Sequence, residues 1–163
     1  MNFLEQLVAE WYEFLGFFVR TNARGPTPSA GGFTELDVLV LKATEKELIH
    51  IETSGSAESW ESLKKRTIKK FRYSQKDYEK LSGIKGVRVL KQAIMGLSYN
   101  PRWSDEELRE EGIKVIPNQR FINEVCNGIL ERVPRGRIVP DSFPILKAFH
   151  VCLLFYKGKE VSK

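Results

Sequence analysis

Apolar residues recur at helical spacing from the start of the chain, with Leu4, Leu7, Val8, Trp11 and Leu15 on one arc. Gly16 supplies a helix stop, so an amphipathic helix is expected over residues 3–15. Phe17-Phe18-Val19-Arg20 reads as a short strand. Residues 24–32 (Arg-Gly-Pro-Thr-Pro-Ser-Ala-Gly-Gly) hold too much glycine and proline for regular structure and predict a loop. Strands follow over 35–41 and 48–53, joined as a hairpin by the polar turn Thr44-Glu45-Lys46. From Ala57 the period switches to 3.6, with Trp60, Leu63, Thr67 and Phe71 on one face. Ser74-Gln75-Lys76-Asp77 opens a further helical segment as a capping box. A fourth strand is expected over 87–97. A short helix capped by Ser104-Asp105-Glu106-Glu107 ends at Gly112, and Ile113-Lys114-Val115-Ile116 forms a fifth strand. Two helices, 119–132 and 141–156, close the chain. The order α-β-β-β-α-β-α-β-α-α predicts an α/β fold with a mixed central sheet flanked by helices. It is expected as one domain over 1–163, with a core at about 3–117 and a C-terminal helical part at about 118–158.

Composition narrows the class. The chain has 163 residues, 42% hydrophobic and 29% charged, which suits a globular domain and excludes a disordered one. No apolar run approaches the roughly 20 residues of a membrane helix. Glu5 makes the first residues acidic where a secretory signal would be basic, so no membrane partner is expected. Cys126 and Cys152 lack metal-ligand neighbours at zinc-finger spacing and read as buried thiols, which implies a reducing, cytoplasmic setting. The net charge of +5 permits a polyanionic partner. Its distribution says more: Lys64-Lys65-Arg66, Lys69-Lys70 and Arg72 crowd one stretch, and Arg132, Arg135 and Arg137 form a second. A solvated basic face would look the same.

Strand alternation sorts the second and third strands into faces. Glu35, Asp37, Leu39 and Leu41 share one face of the second, and Leu48, His50, Glu52 and Ser54 share one face of the third. Asp37 and Glu52 are thus carboxylates on adjacent, antiparallel strands among hydrophobic neighbours. Two such groups repel and lose hydration, a cost that a hard divalent cation offsets directly. The exit of the third strand into Ser54-Gly55-Ser56 leaves open space beside Glu52. His50 reads as a hydrogen-bonded core histidine, or as a group that orders phosphate or water. Gly31-Gly32 lacks the lysine and helix start of a phosphate-binding loop.

These residues resemble the PD-(D/E)XK nuclease superfamily, which includes restriction endonucleases and archaeal Holliday-junction resolvases. The likeness is carried by an acid-bearing first helix, a glycine-containing loop, Gly32-Phe33-Thr34-Glu35-Leu36-Asp37-Val38-Leu39, and Ile49-His50-Ile51-Glu52-Thr53-Ser54. It covers about residues 3–97, with the αβββαβ order. The resemblance implies a restriction-endonuclease-like core in which Asp37, Glu52 and the carbonyl of Thr53 hold Mg²⁺ or Mn²⁺. Glu5 fits the helix acid, with Glu10 the alternative and Glu13 turned away. The resemblance also implies a lysine where this chain has Ser54. Lys64 is the candidate replacement, because it falls inside the arc of Trp60, Thr67, Ile68 and Phe71, whereas Lys65 and Lys69 look outward. A snorkelling stem with a wet head is the alternative for Lys64.

The expected function is metal-dependent phosphodiester hydrolysis of nucleic acid, with DNA the expected form. Asp37, Glu52, Lys64 and Glu5 would be the catalytic set. Arg24, Lys65, Lys69 and Arg72 would contact the phosphate backbone. The rival expectations are an inactive nucleic-acid-binding module of the same fold and a protein-interaction module. The apolar residues Phe149, Val151, Leu153, Leu154 and Phe155 of the last helix suit a homodimer interface or a core helix.

Overall fold

Asn2 starts the first helix by a reciprocal cap. Its side chain accepts the Glu5 backbone N–H at 3.0 Å, and the Glu5 carboxylate accepts the Asn2 N–H at 2.9 Å. This helix, α1 (Phe3–Phe14), buries Leu4, Leu7, Val8 and Trp11, the apolar arc read from the sequence. The fold is that of a computed structural model, which describes residues 2–26, 33–55, 59–96 and 105–160. Residues 27–32 of the predicted 24–32 loop, Ser56, Ala57, Leu97 and the Ser104 cap lie outside the described residues.

The strands are β1 (Phe18–Pro26), β2 (Phe33–Lys42), β3 (Glu47–Ser54), β4 (Arg88–Met95) and β5 (Ile113–Pro117), in the sheet order β1-β2-β3-β4-β5. The first two pairings are antiparallel and the last two parallel, so the sheet is mixed. Between β3 and β4 run α2 (Trp60–Lys70) and α3 (Gln75–Ser82), and α4 (Glu106–Glu110) precedes β5. The expected mixed α/β class and the αβββαβ order are both present.

One expectation fails at β1, which runs to Pro26 where the sequence predicts a loop from Arg24. Gly25 and Pro26 pair with Thr34 and Phe33 at the edge of the sheet, where a missing N–H costs little. Gly25 is there for space: a Cβ on it would sit 2.5 Å from Cε1 of Tyr73.

Helix α2 lies over β4 and α4, where Trp60, Leu63, Phe71, Ala93, Met95, Leu108 and Ile113 form one apolar cluster. A second cluster joins Ala23, Leu36, Leu39 and Leu48 to Tyr78 of α3 and to Val87. The α2–α3 segment is therefore pinned to the sheet on both sides of β3.

Ser74 opens α3 as expected, with its hydroxyl donating to Asp77 at 2.7 Å and its backbone N–H to the same oxygen at 3.0 Å. The Ser74 hydroxyl, followed by its backbone N–H, holds the Asp77 carboxyl below the ordinary aspartate value of 3.8. A depressed carboxyl adds stability above its unfolded pKa and loses it as pH falls through the folded one. Ser74→Ala is expected to cost about 1 kcal/mol at neutral pH, the usual worth of such a cap. Urea unfolding of both proteins at pH 7 and pH 3 should show the gap narrowing at the lower pH.

Residues 1–118 and 119–163 form two compact units. In the second, α5 (Asn118–Arg132) buries Phe121, Val125 and Ile129, and α6 (Pro144–Glu160) buries Leu146 and His150. His150 Nδ1 accepts the Val139 N–H at 3.3 Å. The two cysteines are free, and the expectation of buried thiols is corrected here. Cys152 is exposed and Cys126 only half-buried, because both lie on the outer flanks of their helices. Leu154 and Phe155 are exposed. Among the described residues, no helix is long and apolar enough to cross a membrane.

Candidate metal-binding carboxylate site

The β2–β3 register pairs Leu39 with His50 and Val38 with Ile51, so the next step sets Asp37 opposite Glu52. At that step side chains take over from the main-chain ladder. The Asp37 backbone N–H donates to Glu52 Oε1 at 3.3 Å, while the Thr53 N–H and hydroxyl donate to Asp37 Oδ2 at 2.8 and 3.2 Å. Each carboxylate is anchored by the other strand through one oxygen.

The remaining oxygens, Asp37 Oδ1 and Glu52 Oε2, converge on a single cation, the ammonium of Lys70. Its Nζ lies 2.9 Å from Asp37 and in closer contact with Glu52. The Glu52 side chain is 3% exposed, that of Asp37 11% and that of Lys70 30%, so the cluster opens to solvent on the Asp37–Lys70 side. Burial works against the Lys70 charge, but the fields of Glu52 and Asp37 and their hydrogen bonds outweigh it. The ammonium is held above the ordinary lysine range. At neutral pH Lys70 is a cation with no capacity to accept a proton.

Behind Glu52 lies a buried relay. His50 Nε2 is 2.7 Å from Glu52 Oε1, and His50 Nδ1 is 2.9 Å from the Tyr78 hydroxyl. Burial, with the negative field of Glu52, pushes the Tyr78 phenol well above its usual range. A carboxylate only accepts, so the 2.7 Å contact with Glu52 assigns an imidazole N–H to Nε2, while Nδ1 meets the Tyr78 hydroxyl. His50 is thus the hydrogen-bonded core histidine of the first expectation.

A cavity of about 590 Å³ opens beside the pair, with Glu5, Asp37, Thr53, Arg66 and Lys70 on its walls. The guanidinium of Arg66 donates to Ser54 Oγ at 3.0 Å. The position where the resemblance implies a lysine therefore carries a serine with an arginine on it.

Lys64 is not at this site. Its ammonium lies 3.0 Å from Glu61 and 3.3 Å from Glu107, and the bond to Glu61 leads in holding it above the ordinary lysine range. The reason is the geometry of α2. At 100° per residue, Lys64 sits on one margin of the buried arc, and Arg66 and Lys70 sit on the other. The Lys64 margin faces α4, which supplies Glu107, and the Arg66–Lys70 margin faces the carboxylates. Lys70 and Arg66 are the functional candidates that the sequence reading missed. The available signal was their spacing of four beside Leu63 and Thr67.

The other expected residues fall as follows. Glu5 lines the cavity that Asp37 lines, while Glu10 is buried and accepts from Gln6 at 3.0 Å, and Glu13 is exposed. Lys65, Lys69 and Arg72 are exposed on or just after α2. Arg24 is exposed on β1, opposite Glu35, and so is a strand residue where a loop residue was expected. On the helix wheel Lys65, Lys69, Arg66 and Lys70 form one continuous basic band that ends at the carboxylate pair.

The donor set can be tested against a metal. Among the described residues, no three His, Cys, Asp or Glu side chains group closely enough to hold an ion by themselves. Mg²⁺ takes one or two carboxylates and keeps several waters, and two oxygens already converging on one cation beside an open cavity fit it.

No family model matches the chain, and no curated protein matches it. Among solved structures, the crystal structure of AF1548, a protein of unknown function, is similar. The match has a TM-score of 0.52 and 16% identity, over 80% of this chain and 71% of that one. At that identity the likeness bears on the fold alone.

Proposed function

We propose that this chain is a metal-dependent nuclease-like domain of the PD-(D/E)XK type, which hydrolyses phosphodiester bonds in nucleic acid, with DNA the expected substrate. The observation that carries this reading is the convergence of Asp37 Oδ1 and Glu52 Oε2 on one cation at a cavity mouth. A bound Mg²⁺ or Mn²⁺ would supply Lewis acidity and a water of lowered pKa. Asp37 and Glu52 would hold the ion through the two oxygens that Thr53, His50 and the strand backbones leave free. Lys70 would offset negative charge that grows on the phosphoryl oxygens during attack. The planar fork of Arg66 suits two oxygens of the same phosphate. Glu5, on the wall of the same cavity, would serve the ion's outer water shell.

A binding module without cleavage is the second reading, and one observation favours it: Lys70 already occupies the two carboxylate oxygens that a metal would take. Labelled single-stranded, duplex and branched DNA, and RNA, incubated with Mn²⁺ or with a chelator, separate the two. Hydrolysis with metal and none with chelator is the expected result. Salt-sensitive binding with no hydrolysis under any metal would leave the binding module, and neither would leave the protein-interaction reading.

Lys65→Glu combined with Lys69→Glu is expected to weaken binding to all sequences alike. It should also flatten the slope of log affinity against log salt by about 2, roughly one for each phosphate contact removed. Titrations at several salt concentrations measure it, and an unchanged slope would move the contact surface off α2.

A further inference from the structure

His50 is not among the residues that line the cavity, yet both of its ring nitrogens are partnered. It is fully buried, and its ring is enclosed by Phe71, Tyr73 and Tyr78 at centroid distances of 4.5, 5.8 and 5.8 Å. Phenylalanine would fill such a space without the cost of burying two ring nitrogens. Here both nitrogens are used directionally, one on Glu52 and one on Tyr78.

The target oxygen matters. His50 bonds Oε1 of Glu52, the oxygen turned away from Lys70, and the Asp37 backbone N–H bonds the same atom. A glutamate side chain has three rotatable bonds, and fixing Oε1 from two directions fixes where Oε2 points. Glu52 needs this more than Asp37 does, because its longer side chain would otherwise be free to fold away from the shared cation.

We propose that His50 and Tyr78 are positioning residues, a buried pair that holds Glu52 with Oε2 presented to a divalent cation shared with Asp37. The proposal rests on the reading of Asp37 and Glu52 as a cation site. Tyr78 acts one bond further out: its hydroxyl meets Nδ1 at 2.9 Å and sets the plane of the ring. Partners behind a metal-binding carboxylate work in this way generally, by restricting the orientation of the ligand.

The test is Mn²⁺ affinity of the full chain, measured by calorimetry and by the electron paramagnetic resonance signal of the free ion. His50→Leu is expected to weaken Mn²⁺ binding by about 10–100-fold, the usual range for such partners. His50→Gln can return an amide N–H to Oε1 and should recover most of that loss, which a merely space-filling role would not predict. Tyr78→Phe keeps the ring packing and deletes only the anchor on Nδ1, so it should weaken binding by a smaller factor, about 3–10-fold. It also decides the matter if His50→Leu fails to fold. Wild-type Mn²⁺ affinity in the folded variants would overturn the positioning role while leaving the cation site standing. A wild type that binds no Mn²⁺ would overturn both.

Discussion

Asp37→Asn is expected to abolish metal-dependent cleavage while leaving the domain folded. The amide oxygen of asparagine can still accept the Thr53 N–H that now bonds Oδ2, so the β2–β3 contact survives. What disappears is the charge on Oδ1, half of the anionic pair. Losing a direct carboxylate ligand should weaken Mn²⁺ binding by at least about 100-fold, beyond the range usual for indirect partners. Lewis-acid stabilisation amounts to several kcal/mol, and each 1.4 kcal/mol is tenfold in rate, so cleavage should fall by roughly a thousandfold or more. Stability should change little, because the substitution also removes a like-charge neighbour of Glu52. Asp37→Asn that cleaves at the wild-type rate would remove Asp37 from the catalytic site, whatever its metal affinity.

The carboxylate pair was legible because it depends on a single regularity. Side chains alternate along strands, a short turn joins β2 to β3, and the hairpin register follows. Asp37 and Glu52 had to meet once that hairpin formed. The length of β1 was less accessible. Gly25 and Pro26 carry loop signals, and only their pairing with Thr34 and Phe33, set by the sheet, makes them strand. The Tyr78–His50 bond spans 28 residues and two elements, and no periodicity reports such a contact.

The cation was misassigned for a more specific reason. A helical wheel gives a residue's direction around the axis, but not the neighbour on that side. Lys64 and Lys70 both border the buried arc of α2. Which of them meets the strand carboxylates depends on where α4 packs, and α4 is a five-residue helix reached only after β4. Glu107 of that helix draws Lys64 away from the sheet. Ser54 was the useful clue, since a missing cation at that position implies one arriving from elsewhere.

Lys70→Ala is therefore the substitution with the most distinctive signature, because it should move metal affinity and cleavage in opposite directions. The ammonium and a divalent ion compete for the same two oxygens, Asp37 Oδ1 and Glu52 Oε2. Removing the competitor should tighten Mn²⁺ binding several-fold. Cleavage should nevertheless fall by about 100-fold, the loss typical when one stabiliser of developing negative charge is deleted. Without metal, two carboxylates then face each other uncompensated. Breaking a fully buried pair costs about 3–5 kcal/mol, and the partial exposure of Lys70 lowers the expectation to about 2 kcal/mol. Saturating Mn²⁺ should restore that stability, since the ion takes over the role of the ammonium. Lys64→Ala provides the comparison: its partners Glu61 and Glu107 are exposed carboxylates outside the cavity, so cleavage and Mn²⁺ affinity should match the wild type. Thermal unfolding with and without Mn²⁺, with cleavage rates for both variants, measures all of these effects. Loss of cleavage in Lys64→Ala with full activity in Lys70→Ala would return the catalytic cation to the α4 side of the helix.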